Sequence, residues 1–137
     1  MLYEAKVSYK TTDEKGAEVL KKEWYVIANA ECFAQVEQKM YESFNYSCFK
    51  DVDVTDIKRS RIKELANYRN GIDEKLFVAE VQDTFTTDDG VEKELKYKIL
   101  FFSTNMDDAM TFINEYIKQG YDMTLVSLKE TKFKDVL

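Results

Sequence analysis

IKRSRIKEL, residues 57–65, and LKETKFKDV, residues 128–136, carry one pattern twice. Ile57, Lys58, Ser60, Arg61, Ile62, Lys63, Glu64 and Leu65 meet Leu128, Lys129, Thr131, Lys132, Phe133, Lys134, Asp135 and Val136. Only Arg59 against Glu130 reverses character. An internal match of this kind decides the fold, because a chain that repeats itself is read as one unit and its copy.

Working outward from the first copy, residues 2–10 (LYEAKVSYK) alternate apolar and polar side chains, the period of a half-buried strand. TTDEKG (11–16) is turn chemistry, and EVLKKEWYVIAN (18–29) returns as the second strand of a hairpin. Asn29 or Glu31 then opens a helix to about Phe44, with Phe33, Val36, Met40 and Phe44 on one stripe. Residues 48–63 read as one third strand, bent near Thr55–Asp56. The second copy follows the same order. KLFVAEVQDTF (75–85) is a strand, TTDDG (86–90) a turn and VEKELKYKILFFS (91–103) the returning strand. Asn105 caps a helix with Asp107 and Asp108 in its first turn, Ala109, Phe112, Ile113, Tyr116 and Ile117 form its buried face, and Gly120 ends it. Residues 121–137 are the last strand.

The expected fold is α+β: a tandem ββαβ duplication merged into a six-stranded, mostly antiparallel sheet with two helices packed on one face. The halves are 1–66 and 74–137, with 67–73 as connector and Asn70-Gly71 as its turn. A closed or half-closed barrel is the alternative.

The chain resembles an uncharacterised family of proteins of Bacteroidetes and their bacteriophages. The resemblance is carried by EWYVIANAECFAQVE (23–37) and SLKETKFKDVL (127–137) and extends over nearly the whole length. It implies a phage or mobile-element context and carries no functional residue.

Composition narrows the chemistry. The chain has 137 residues, 45% hydrophobic and 34% charged, and no apolar run approaches the ~18 residues of a membrane span. The N-terminal residues do not form a signal peptide, so a cytoplasmic protein is expected. There is no histidine, which removes Ser-His and Cys-His nucleophile systems. Cys32 and Cys48 read as two buried, reduced thiols. Neither GxxxxGK[ST] nor GxGxxG occurs. Asp51/Asp53, Asp88/Asp89 and Asp107/Asp108 each have a structural explanation, so no metal, cofactor or catalytic residue is expected.

The net charge of −6 falls on residues 71–137, while residues 1–70 are balanced and hold all three arginines. That field does not favour duplex DNA. A basic strip nevertheless remains at Lys58, Arg59, Arg61 and Lys63, with Arg69 beyond it and Lys132 and Lys134 as its repeat. Trp24, Tyr25, Tyr68 and Tyr97 could supply stacking surfaces. Cations interleaved with aromatics on a twisted sheet suit single-stranded nucleic acid, and this is the first functional expectation. The second is an inhibitor or sponge that sequesters a nucleotide signal or a host defence protein, its arginines gripping phosphate. The competing explanation is a solvated sheet edge charged against edge pairing. Finally, Tyr25, Ile27, Leu100 and Phe102 are expected to face away from the helices and to form a homodimer interface.

Overall fold

Tyr3, Ala5, Val7 and Tyr9 alternate along β1 (Tyr3–Thr12), and all four are buried. In the computed structural model, which describes residues 1–120 and 122–137, this strand organises the first of two compact units. The unit comprises Met1–Ser60 and Lys132–Leu137. β1 pairs antiparallel with β2 (Glu18–Ile27) through a turn in which the Asp13 N–H donates to Ala17 O, the Ala17 N–H donates to Asp13 Oδ1 and Gly16 takes φ 82°. An L side chain is disfavoured there, which is why glycine ends the TTDEKG run.

The helix α1 (Phe33–Ser43) starts later than the sequence indicates. Asn29 sits at φ 56°, in the left-handed region, and turns the chain out of β2 before a helix can begin. Cys32 is the N-cap, in extended geometry, and its side chain accepts no capping bond. Val36, Met40 and Phe44 then pack against Tyr3, Ala5, Val7, Tyr9 and Ile27. Phe33, on the expected stripe, is half exposed and meets Tyr3 edge-on with ring centroids 5.7 Å apart. β3 (Lys50–Arg59) returns antiparallel to β1 on its other side.

The second unit is Arg61–Thr131. β5 (Lys75–Thr86) and β6 (Glu92–Ser103) form its hairpin, with Gly90 at φ 79° in the turn. α2 (Met106–Ile117) is capped as its sequence requires: Asn105 Oδ1 accepts the Asp108 N–H at 2.8 Å, and Asp107 and Asp108 occupy the first turn. Ala109 and Ile113 are fully buried against Phe77, Ala79, Val81, Ile99 and Phe101. β7 (Met123–Glu130) pairs antiparallel with β5. The sequence reading began this last strand at Tyr121, which lies outside the described residues.

The class is α+β, but the single six-stranded sheet is replaced by two four-stranded sheets, each with its own helix. The segment read as one bent third strand is two strands. β3 ends at Arg59, and β4 (Ile62–Leu65) leaves the first sheet to pair in parallel with β6. The last segment divides likewise: β7 stays in the second sheet, while β8 (Phe133–Val136) pairs in parallel with β2. The orders are β3-β1-β2-β8 and β4-β6-β5-β7. Instead of halves at 1–66 and 74–137, the chain passes between units at Ser60–Arg61 and again at Thr131–Lys132.

The break points have a local cause. The Ser60 N–H donates to Leu2 O at 2.9 Å and its hydroxyl to Glu4 Oε2 at 2.9 Å. The Thr131 N–H and hydroxyl both donate to Leu76 O at 2.9 Å. Each hydroxyl residue thus closes one ladder, and the four-residue strand that begins two positions later pairs elsewhere.

Candidate nucleic-acid interface

The register of β1 with β2 sets which side chains share a face. Tyr3 opposes Ile27, Ala5 opposes Tyr25 and Val7 opposes Glu23, so Ile27, Tyr25 and Glu23 lie on the α1 side. Trp24 and Val26 lie on the other. The sequence reading had β2 reversed, and because side chains alternate, a slip of one residue moves every one of them to the opposite face. In β6 the reading holds: Ile99 and Phe101 pack on α2, and Leu100 and Phe102 point away from it. Ile27, Leu100 and Phe102 are buried and Tyr25 is partly buried within the single chain, so no open apolar patch exists at these four positions.

On the face of the first sheet opposite α1, Trp24 is opposed by Lys6 of β1 and by Phe133 of β8. The Lys132 ammonium lies 4.3 Å from the indole centroid and that of Lys58 5.1 Å from it. Both distances are within cation–π range, where each contact contributes about 0.5–1 kcal/mol at an exposed site. Lys58 also approaches Glu4 Oε1 at 3.7 Å. Ladder pairing places Lys22 and Asp56 on this face too. Asp53, paired with Ser8 across from Lys22, lies on it as well, so this face sets four lysines (6, 22, 58 and 132) against three carboxylates (4, 53 and 56).

The other expected basic residues go elsewhere. Arg59 opposes Tyr3 and so shares the α1 side of β3, where it is exposed. Lys134 reaches Glu23 Oε2 at 3.8 Å. Arg61, Lys63, Tyr68 and Arg69 belong to the second unit. Arg61 is exposed at the first crossing, and the Lys63 ammonium lies 4.4 Å from the Tyr97 ring centroid. Arg69 folds onto Phe102, 4.8 Å from its centroid, and its guanidinium donates to Glu74 O at 2.7 Å and Gly71 O at 3.3 Å. It organises the connector. Tyr68 is 85% exposed. Both thiols, expected to be buried, are free and exposed: Cys32 at the N-cap of α1, and Cys48 in the turn that precedes the start of β3 at Lys50.

One carboxylate escaped the sequence reading. Glu23 Oε1 accepts hydrogen bonds from the hydroxyls of Tyr9 and Tyr25. Burial, reinforced by the Glu23 hydrogen bond and charge, pushes the Tyr9 hydroxyl well above the usual tyrosine range. Burial first, then the Glu23 charge, does the same to Tyr25. In the second unit Tyr116 donates to Glu64 Oε1 at 3.0 Å, and burial with that bond pushes it up to about 12. The legible signal was a lone acid on the core-facing phase of β2. Beside this cluster, a groove of about 440 Å³ is lined by Tyr25, Phe44, Tyr46, Phe49, Asp135 and Leu137 among others.

The family model for a domain of unknown function, DUF4494, matches residues 1–137. The chain belongs to the DUF4494 family. No curated protein and no solved structure matches it. Membership in DUF4494 leaves the chemistry of the domain to be argued from the site. No helix among the described residues is long and apolar enough to cross a membrane.

Proposed function

We propose that this domain is a non-catalytic binding protein for single-stranded nucleic acid and that Trp24 with Lys58 and Lys132 is the centre of its binding face. The observation that carries the reading is the gathering of two ammonium groups within 5.1 Å of one indole, on a chain whose net charge is −6. Like charges brought together in an acidic protein repel each other, and a phosphodiester passing between them relieves that repulsion. The indole supplies a π-face on which a base can stack, worth about 1–3 kcal/mol per base. Lys6 and Lys22 extend the positive track along the strands. Bound phosphates would be read as charge, without sequence preference.

Trp24 is the single tryptophan, so its emission reports on the site directly. Titration with short single-stranded oligonucleotides at low salt should change that emission saturably, and raising the salt should weaken binding. No binding at low salt would sink the proposal. Equal affinity for mononucleotides and oligonucleotides would point instead to nucleotide capture.

We also infer that the chain is a tandem duplication of one ββαββ unit. Support comes from equivalent positions. The hairpin turns run Asp13 to Gly16 and Thr87 to Gly90, with the same pair of backbone bonds in each. Cys32 and Asn105 hold the two N-caps, and Val36 and Met40 match Ala109 and Ile113 as the buried pair of each helix. Leu137 donates to Val26 O as Ala66 donates to Leu100 O. On this reading the final short strand of each copy is exchanged into the other.

A further inference from the structure

The edge of β2 in the first unit is filled by a segment that reaches it only after the chain has run through the whole of the second unit. That segment, Lys132–Leu137, is held by four kinds of contact. Its backbone adds to the ladder: the Leu137 N–H donates to Val26 O at 2.8 Å, and Leu137 O accepts the Ala28 N–H at 2.9 Å. Phe133 opposes Trp24 and Val136 opposes Val26. Leu137 packs against the core that includes Ile27 and Phe44. Lys132 lies over Trp24 and Lys134 reaches Glu23. Six consecutive residues therefore meet an apolar position, an aromatic ring, a carboxylate and two free backbone groups, which is how an extended peptide is recognised by strand addition.

The same segment is a short edge strand, with only two ladder pairs and a register shift between them. The β2 edge is complementary to this sequence, and every copy of the chain carries both. We propose that the β2 edge is a strand-acceptor site and that its second occupant is residues Lys132–Leu137 of another copy of this chain, giving a reciprocal strand-exchanged dimer. Exchange of an identical element creates no new contact type. The cis and trans states differ mainly in whether the segment after Thr131 turns back to its own first unit or extends to a neighbour's, so protein concentration decides between them. The dimer rests on backbone pairing and the Phe133, Val136 and Leu137 side chains, and is independent of the nucleic-acid reading.

The test uses the intact chain. It is unfolded in denaturant, refolded over a range of protein concentrations, and sized by light scattering and native mass spectrometry. Parallel samples contain an excess of the synthetic peptide SLKETKFKDVL, or the same peptide with Phe133→Ala and Leu137→Ala. The dimer fraction should rise with refolding concentration and fall with the first peptide, which should be found bound to monomer. The double-alanine peptide should compete at least about tenfold less well. Monomer at every concentration would overturn the proposal, and so would a dimer that the first peptide leaves unchanged, since that dimer would be held by another surface.

Discussion

The Lys132 ammonium lies over the Trp24 indole, 4.3 Å from its centroid, although the two residues come from opposite ends of the sequence. β8 delivers Lys132 to that ring, and β3 delivers Lys58 to it from the other side of the chain order. The expected consequence is a shared effect on binding. Trp24→Ala should lower affinity for single-stranded oligonucleotide by roughly tenfold or more, through lost stacking. Lys58→Ala and Lys132→Ala should each reduce the slope of log affinity against log salt by about 0.7, one phosphate contact apiece. Arg69→Ala should leave the slope unchanged, because its guanidinium serves carbonyls of the connector. Anisotropy of a labelled oligonucleotide at several salt concentrations measures all four chains.

The two helices offer a matched pair of substitutions. Asn105 accepts the Asp108 N–H, so Asn105→Ala leaves a helix-end donor to water and should cost about 1 kcal/mol. Cys32 has the same extended cap geometry with no side-chain acceptor engaged. Cys32→Ser places a hydroxyl there and should raise stability by about 0.5–1 kcal/mol. Urea unfolding of both variants checks the opposite signs; a neutral Cys32→Ser would mean that the Gln35 side chain, which accepts the Glu31 N–H, already organises that end.

The local elements were legible because each rests on a local signal. Alternation marked β1 and β5, glycine at positive φ closed both hairpins, and Asn105 with two aspartates announced α2. The second apolar face of β2 was not legible, because EWYVI offers an aromatic or aliphatic side chain in both phases, Trp24 and Val26 against Tyr25 and Ile27. Only packing on Val36 and Met40 selects one. The exchange of β4 and β8 was hidden for a different reason. IKRSRIKEL contains the break, but a serine within a basic run gives no sign that its two sides join different sheets. Hence the basic strip was found as a run in sequence and is dispersed in the fold, with Lys58 and Lys132 brought to Trp24 and Lys63 taken to Tyr97.

The hairpin glycines give a third prediction. Gly16 and Gly90 have open space where a Cβ would stand, so the cost of Ala there is conformational, not steric. Both φ values lie in the left-handed region, and Gly16→Ala and Gly90→Ala should each cost about 1 kcal/mol. Gly16→Asn should recover part of that, since asparagine tolerates the region better. Thermal unfolding of the three variants gives the ordering.

Glu23 makes the protein's response to alkali a test of its tyrosine cluster. Tyr9 and Tyr25 donate to one carboxylate, and burial together with that carboxylate holds both hydroxyls above the usual tyrosine range; Tyr116 at Glu64 is pushed up to about 12. In the unfolded chain a tyrosine loses its proton near pH 10. Between about pH 10 and the higher folded values, the unfolded state sheds protons that the folded state keeps, so stability is complete below pH 10 and is lost as pH rises through that window. Tyrosinate absorbance should show Tyr9, Tyr25, Tyr97 and Tyr116 titrating later than an ordinary tyrosine, together with unfolding. Glu23→Gln keeps an acceptor for the hydroxyls and removes the negative charge. It should bring Tyr9 and Tyr25 to lower pH while leaving Tyr116 in place. If Glu23→Gln leaves the late titration of Tyr9 and Tyr25 unmoved, their shift is due to burial and the retained hydrogen bond, and the negative charge has no part in it.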